Sequence, residues 1–150
     1  MEVVVQSRQK RQRVRPGKVK KMAERILSDL GFRESELSIV LVDDDEIQRL
    51  NREYLSRDHP TNVLAFAMRE GEDRHLNPSV LGDVVVSVET AEREARQRGV
   101  ILEEEMVLLL VHGILHLLGY DHEDAPAEAV QMEAKEQEIL SRLGFGDKGT

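Results

Sequence analysis

The 150-residue chain contains no cysteine, so disulfide bonds and thiolate metal ligands are excluded, and any transition-metal site must use histidines and carboxylates. Aromatic residues make up only 3% of the chain, which predicts an aliphatic core and argues against a surface for stacking nucleic-acid bases. With 40% hydrophobic and 33% charged residues, the composition is typical of one folded domain and not of a disordered chain.

Long hydrophobic runs are also missing from the sequence. The apolar run near the N-terminus is far shorter than the hydrophobic region of a signal peptide. The longest apolar stretch, residues 106–118, is too short to cross a bilayer as a helix and is interrupted by two histidines and a glycine. We therefore expect a soluble protein without a membrane partner, in which this stretch forms a buried helix.

Charge is distributed unevenly along the chain. The formal net charge is −8, yet eight of the 21 lysines and arginines lie within residues 8–21, where there is no acidic residue. A basic segment on an acidic body can attract phosphates. The alternative is that these residues only form the solvated face of a first helix.

Hydrophobic periodicity and turn residues predict the order β-α-β-α-β-β-α-α-α. This order indicates a single α+β domain with a four-stranded mixed sheet and about five helices, in which the third and fourth strands are neighbours. The predicted strands are residues 3–5, 38–42, 62–67 and 82–88, and the predicted helices end near residues 30, 54, 98, 118 and 143. Residues 69–80 are expected to form a loop.

Three consecutive acids, Asp43 to Asp45, follow the second predicted strand. They could hold a cation, but carboxylates at the start of a helix are more simply explained by capping and by the helix dipole. Asp43 is the expected N-cap, with Glu46 three residues later as in a capping box.

The most informative segment is HGILHLLGYDH, residues 112–122. His112 and His116 are four residues apart, a spacing that places both on one face of a helix and lets them bind one ion. Gly119 can then turn the chain and bring His122 to the same ion. Three imidazoles with an open fourth position describe a catalytic site at the end of a buried helix. One zinc ion per chain is expected, although nickel, copper and iron also accept imidazole.

The alternative for these histidines is a structural role in the core, but burying two imidazoles without partners would be costly. The spacing matches that of the metzincin proteases, with one difference. Where those proteases carry a general-base glutamate, this chain has Gly113, which argues against the usual route of peptide hydrolysis and is expected to leave open space beside the ion.

Three segments of the chain resemble the YbeY family of bacterial endoribonucleases. Residues 112–122 meet every fixed position of the family's histidine motif. Residues 50–66, with LNREY and DHPTNVLAF, resemble its central motif, and residues 81–87, LGDVVVS, resemble its strand motif. The resemblance covers about residues 38–143.

This resemblance implies a zinc-dependent, single-strand-specific endoribonuclease of the cytoplasm. It would act in maturation of the 3′ end of small-subunit ribosomal RNA and in ribosome quality control, with His112, His116 and His122 as the zinc ligands. The expected partners are precursor rRNA and the ribosome or its small subunit, and DNA is not expected. Two positions depart from the family pattern: Leu55 replaces the usual arginine and Ala65 replaces the usual serine.

Candidate residues for the reaction surround this motif in the sequence. Asp121 could orient a ligand imidazole or act as a base, or it could only cap the turn after Gly119. Asp83 is a further candidate for orienting a ligand. Arg57, and with less reason His59, could stabilise phosphate charge, although residues in a loop beside a proline often have structural roles.

Two other functions remain open from the sequence. A metallopeptidase could use the same ion with a base such as Asp121. Alternatively, zinc could stabilise a non-catalytic factor for ribosome assembly. In the enzyme, removal of His122 should abolish activity and leave most of the fold intact, whereas in the non-catalytic factor it should abolish folding.

Overall fold

A computed structural model describes residues 1–11, 13–68, 79–120 and 126–145, without the side chains of residues 126–129. The predicted order of elements is confirmed. The strands are β1 (Glu2–Ser7), β2 (Glu36–Val42), β3 (Val63–Ala67) and β4 (Val80–Ser87), and the helices are α1 (Pro16–Asp29), α2 (Asp44–Leu55), α3 (Val88–Arg98), α4 (Leu102–Leu117) and α5 (Pro126–Arg142). Most of the predicted loop 69–80 lies outside the described residues.

The four strands form one mixed sheet in the order β1-β2-β4-β3. Strands β1, β2 and β4 are parallel, whereas β3 runs antiparallel to β4 at one edge. The predicted pairing of the third and fourth strands is therefore confirmed. The N-terminus of β3 lies beside the C-terminus of β4, because Val63 pairs with Val86.

The two faces of the sheet are covered unequally. One face bears the main core, in which alternate residues of every strand pack against α1, α3, α4 and α5. The opposite face carries a smaller cluster in which Val42, Leu64 and Val85 pack against Ile47 of α2. Since side chains alternate along a strand, neighbouring residues such as Val84 and Val85 belong to different faces.

Helix α4 is the most buried helix among the described residues, and ten of its residues are buried. It begins with Glu103, Glu104 and Glu105, whose charges favour a helix N-terminus. Residues on almost all sides are apolar, as expected for a helix enclosed by others. No helix in the described part of the chain is both long and apolar enough to span a membrane.

The start of α2 corrects one detail of the sequence interpretation. Asp43 is the N-cap residue, as predicted, but its side chain does not cap the helix, and the capping box is wrong. Its carboxylate instead accepts a hydrogen bond from the backbone N–H of Lys10 at 2.8 Å. The acidic cluster thereby holds the basic segment that follows β1.

The next acid, Asp44, joins α2 to the start of α3. Its Oδ1 accepts hydrogen bonds from the hydroxyls of Ser87 and Thr90, each at 2.6 Å, and Arg93 lies 2.9 Å from Oδ2. Partial burial by itself would raise the pKa of Asp44, but these three partners outweigh it and the pKa is lowered. The contacts favour the structural interpretation of the cluster.

Candidate functional site

Helix α4 places His112 and His116 side by side. Their ring centroids are 5.1 Å apart, with an angle of 60° between the ring planes. Both residues are partly buried, whereas the positions around them are occupied by buried aliphatic residues. The predicted spacing of four residues therefore brings two imidazoles together at the edge of the core.

The separation of the two rings fits a shared metal ion. Two imidazoles bound about 2.0–2.1 Å from one tetrahedral zinc have ring centres about 5 Å apart. Neutral imidazole nitrogens are also donors that zinc accepts readily. The two histidines therefore suit zinc in both donor chemistry and spacing.

The remaining predicted residues of this motif, His122 and Asp121, lie outside the described residues. Gly119 directly precedes this segment and has a φ of 101°, so the chain leaves α4 through a left-handed residue, as predicted. Within the described residues alone, no group of three His, Asp or Glu side chains is arranged to hold a metal ion. The complete ligand set therefore stays a prediction.

A carboxylate that we did not predict contacts the first histidine. Oε1 of Glu136, on α5, lies 2.7 Å from Nδ1 of His112. The sequence did contain a signal for it. Met132, Ile139 and Leu140 form the buried stripe of α5, and Glu136 occupies the helical position between them where an apolar residue is expected.

Gly113 does not open space beside the histidines, so that expectation is wrong. A Cβ atom at this position would lie 2.8 Å from Cγ1 of Val84 and 3.4 Å from Cγ2 of Val63. The position faces the sheet, and the absence of a side chain lets α4 approach β3 and β4 closely. A glutamate there would be directed into the packed core and not towards the two imidazoles.

The prediction that Asp83 orients a metal ligand is also wrong. Asp83 precedes Val84, which belongs to the core between the sheet and α4, and side chains alternate along β4. Asp83 lines a groove of about 480 Å³ on the opposite face, together with Ser38, Tyr54 and Phe66. The sheet therefore separates Asp83 from the histidines, and it cannot orient them.

Arg57 and His59 lie on the loop between α2 and β3. Ser56 ends α2 in a left-handed conformation, and the side-chain amide of Asn51 donates to the carbonyl of His59 at 2.9 Å. The loop leads to Val63, next to the position of Gly113. Both side chains are exposed, and the role of Arg57 in phosphate binding stays a prediction.

The basic segment, residues 8–21, is partly neutralised by ion pairs. Arg8 pairs with Glu46 at 2.7 Å, and Arg13 pairs with Glu92 at 2.9 Å. The other basic residues of the segment are exposed, and Lys18 pairs with Glu103 at 3.0 Å.

The pair between Lys18 and Glu103 places the start of α1 beside the start of α4. At about 1.5 Å per residue, His112 and His116 lie roughly 14 to 20 Å further along α4 from Glu103. A phosphate bound beside Lys18 would therefore be well separated from a phosphate at the histidines.

Comparison with known proteins shows close relatives over almost the whole chain. The family model described as "Endoribonuclease YbeY" matches residues 4–144. A protein of that name from Geobacter metallireducens is 53% identical over 144 residues, covering 95% of this chain and 96% of the relative. Another from Syntrophotalea carbinolica is 51% identical over 140 residues, covering 93% of both chains.

A solved structure supports the fold independently. The solution structure of TM1509 from Thermotoga maritima superposes with a TM-score of 0.59 and covers 99% of both chains. At 23% sequence identity, this similarity is evidence for the shared α+β fold alone.

Proposed function

Since this chain belongs to the endoribonuclease YbeY family, we propose that it is a hydrolase that cleaves single-stranded RNA with a zinc ion held by His112, His116 and His122. We propose further that it acts in the cytoplasm on precursor ribosomal RNA, at the 3′ end of the small-subunit RNA, and in ribosome quality control. The observation that carries the metal-dependent chemistry is the 5.1 Å separation of the His112 and His116 rings.

In the proposed reaction, the metal and the side chains of the protein have different roles. When bound, zinc supplies a Lewis acid for a phosphoryl oxygen and lowers the pKa of a coordinated water. His112, His116 and His122 would hold this ion through their imidazole nitrogens. Asp121 is proposed to orient an imidazole or to accept the proton of the attacking hydroxyl group. Arg57 is proposed to neutralise phosphate charge.

The basic segment is proposed to bind the RNA backbone away from the cleaved bond. Lys10, Arg11, Arg15, Lys20 and Lys21 are exposed and form no ion pair within the described part of the chain. Charge on an exposed and flexible side chain suits contacts to phosphates more than the recognition of bases.

The position of Gly113 argues against the metallopeptidase alternative. In the matching protease motif the residue after the first histidine is the general base, whereas here that position faces Val84 and Val63. A peptidase would therefore need its base from another part of the chain, and no described contact favours this.

The proposal is tested with purified wild-type protein and the His116→Ala variant. Zinc content is measured, and each protein is incubated with unstructured RNAs and unstructured peptides, with and without a chelator. We expect zinc and RNA cleavage in the wild type, and loss of both in His116→Ala with little change in the circular dichroism spectrum. Val130→Ala, at an exposed position of α5, is the purification control and should cleave normally.

Three outcomes would contradict the proposal. Cleavage of peptides but not RNA would favour the metallopeptidase. A His116→Ala protein that unfolds, combined with an inactive wild type, would favour the non-catalytic factor stabilised by zinc. Equal RNA cleavage by the wild type and His116→Ala would assign the activity to a contaminating nuclease.

A further inference from the structure

We propose that Glu136 is a positioning residue for the metal site, an inference that rests on the proposed function. Its carboxylate holds the imidazole of His112 in the tautomer with the proton on Nδ1. The nitrogen presented to the metal is then Nε2. Glu136 itself does not contact the metal or the RNA in this arrangement.

The contact has the properties of a strong hydrogen bond. The distance of 2.7 Å from Oε1 to Nδ1 is short, as expected when the acceptor is a charged carboxylate. The Glu136 side chain is only 13% exposed, whereas the Glu138 side chain on the same helix is 43% exposed. Little water therefore competes for Oε1, and the ring of His112 is fixed by the bond.

The backbone of Glu136 is held firmly. Met132, Ile139 and Leu140 of α5 are at most 3% exposed and pack into the main core. These residues lie one turn to either side of Glu136, so docking of α5 determines where its carboxylate points. The site thus depends on two helices: α4 supplies the imidazoles and α5 supplies the group that orients one of them.

A purely structural role explains Glu136 less well. Among the described residues, His112 is the hydrogen-bond partner of its side chain, and the basic residues nearest in α5 are paired elsewhere. Lys135 pairs with Glu138, and Arg142 pairs with Asp29 and Glu138. A partly buried carboxylate facing an imidazole contributes little to stability compared with an apolar residue in the same stripe.

A neutral imidazole has one N–H donor and one acceptor nitrogen. When the carboxylate accepts a hydrogen bond from the N–H at Nδ1, the free lone pair of the ring is on Nε2. This tautomer is the one needed for metal binding through Nε2. Without the carboxylate, the two tautomers compete and the ring can rotate. Loss of such an orienting group lowers metal affinity by about 10- to 100-fold in known sites.

The experiment compares Glu136→Ala, Glu136→Gln and Glu133→Gln with the wild type at pH 8. Zinc dissociation constants are measured by competition with a chromophoric chelator, and the tautomer of His112 is read from its ring nitrogen shifts by NMR in metal-free protein. Glu133 is exposed and lies three residues earlier on α5, so Glu133→Gln removes the same charge from the same helix.

We expect Glu136→Ala to bind zinc about 10- to 100-fold more weakly and to lose the preference for a proton on Nδ1. Glu136→Gln keeps an acceptor oxygen of the same shape and should retain the tautomer with a smaller loss of affinity. Glu133→Gln should match the wild type. If Glu136→Ala does not fold, the comparison between the two glutamine variants still tests the role of the Glu136 charge.

The results separate this inference from the proposed function. If the wild type binds zinc and Glu136→Ala binds it equally with an unchanged tautomer, the inference is wrong and the proposed function stands. If the wild type binds no zinc, the zinc site of the proposed function fails. An unchanged tautomer in Glu136→Ala would then still overturn the role of Glu136, because it is measured without metal.

Discussion

The polar groups in the two halves of α4 have different kinds of partner. Near its N-terminus, Glu105 is 1% exposed and forms a close ion pair with Arg98, with a second carboxyl group, that of Glu94, beside it. Near its C-terminus, His112 and His116 lie beside each other as two imidazoles, and the carboxylate of Glu136 contacts Nδ1 of the first ring.

This contrast distinguishes a polar group with a structural role from polar groups that are proposed to bind a ligand. Glu105 has a charged partner within the protein, Arg98, so its burial is explained without a ligand. Two imidazoles one turn apart at the edge of the core have instead the donor chemistry and the spacing that suit a shared cation. Substitutions in and around α4 test this contrast. They are given from the largest to the smallest expected effect, beginning with Gly113 beside His112.

The largest effect on stability is expected from Gly113→Ala. The new Cβ would lie 2.8 Å from Cγ1 of Val84, which is too close for the buried core to accept without movement. Overpacking destabilises a core by about 1–3 kcal/mol, and the higher helix propensity of alanine than of glycine offsets about 1 kcal/mol of this. We therefore expect a net loss of about 0–2 kcal/mol in the free energy of unfolding, measured by urea denaturation.

Gly17→Ala is the matched control for that substitution. Gly17 lies in the first turn of α1, and a Cβ atom added there would have no neighbouring atom within 4 Å. This variant should be as stable as the wild type or more stable by up to about 1 kcal/mol.

A double variant tests the contact between Gly113 and Val84 directly. Val84→Ala should relieve the clash, so Gly113→Ala/Val84→Ala should be more stable than the sum of the two single effects predicts. Strict additivity would count against close packing at Gly113.

A smaller effect, dependent on pH, is expected at Glu105. Burial, opposed by Arg98 and reinforced by Glu94, raises the pKa of Glu105. The folded protein therefore holds this proton more tightly than the unfolded chain does. As the pH rises from the ordinary value of a glutamate through the raised pKa, this group makes folding less favourable.

Glu105→Gln removes that titration, so the wild type should lose stability relative to the variant across this pH window and keep a constant difference above it. Urea denaturation of both proteins at several pH values measures the difference. A difference that is independent of pH, or one that grows in favour of the wild type as the pH rises, would show that Arg98 fully compensates the burial.

The smallest effect is expected from individual charges of the basic segment. If Lys20 and Lys21 each contact one phosphate, Lys20→Gln/Lys21→Gln should reduce the slope of log affinity against log salt by about 1.4, since each contact to a single strand contributes about 0.7. Binding of a short unstructured RNA is measured by fluorescence anisotropy. Arg25→Gln/Arg33→Gln removes the same charge from exposed positions outside residues 8–21 and should leave the slope unchanged. Equal slopes for both double variants would exclude a specific role of the segment.

The sequence alone predicted the element order, the mixed sheet and the pairing of β3 with β4, because these follow from local periodicity and turn residues. It also predicted that His112 and His116 would be neighbours, since the spacing on a helix is a local property. The capping box at Asp43 failed because Lys10, far away in the sequence, competes for the carboxylate.

The periodic pattern of apolar residues is enough to make α4 a buried helix and to place two imidazoles one turn apart. The directions of the other residues depend on how the elements pack: Gly113 faces the sheet, Asp83 lies on its opposite face, and Glu136 reaches His112 from another helix. Spacing within one helix or strand is set by local backbone geometry, whereas contacts between elements depend on how their apolar faces pack together.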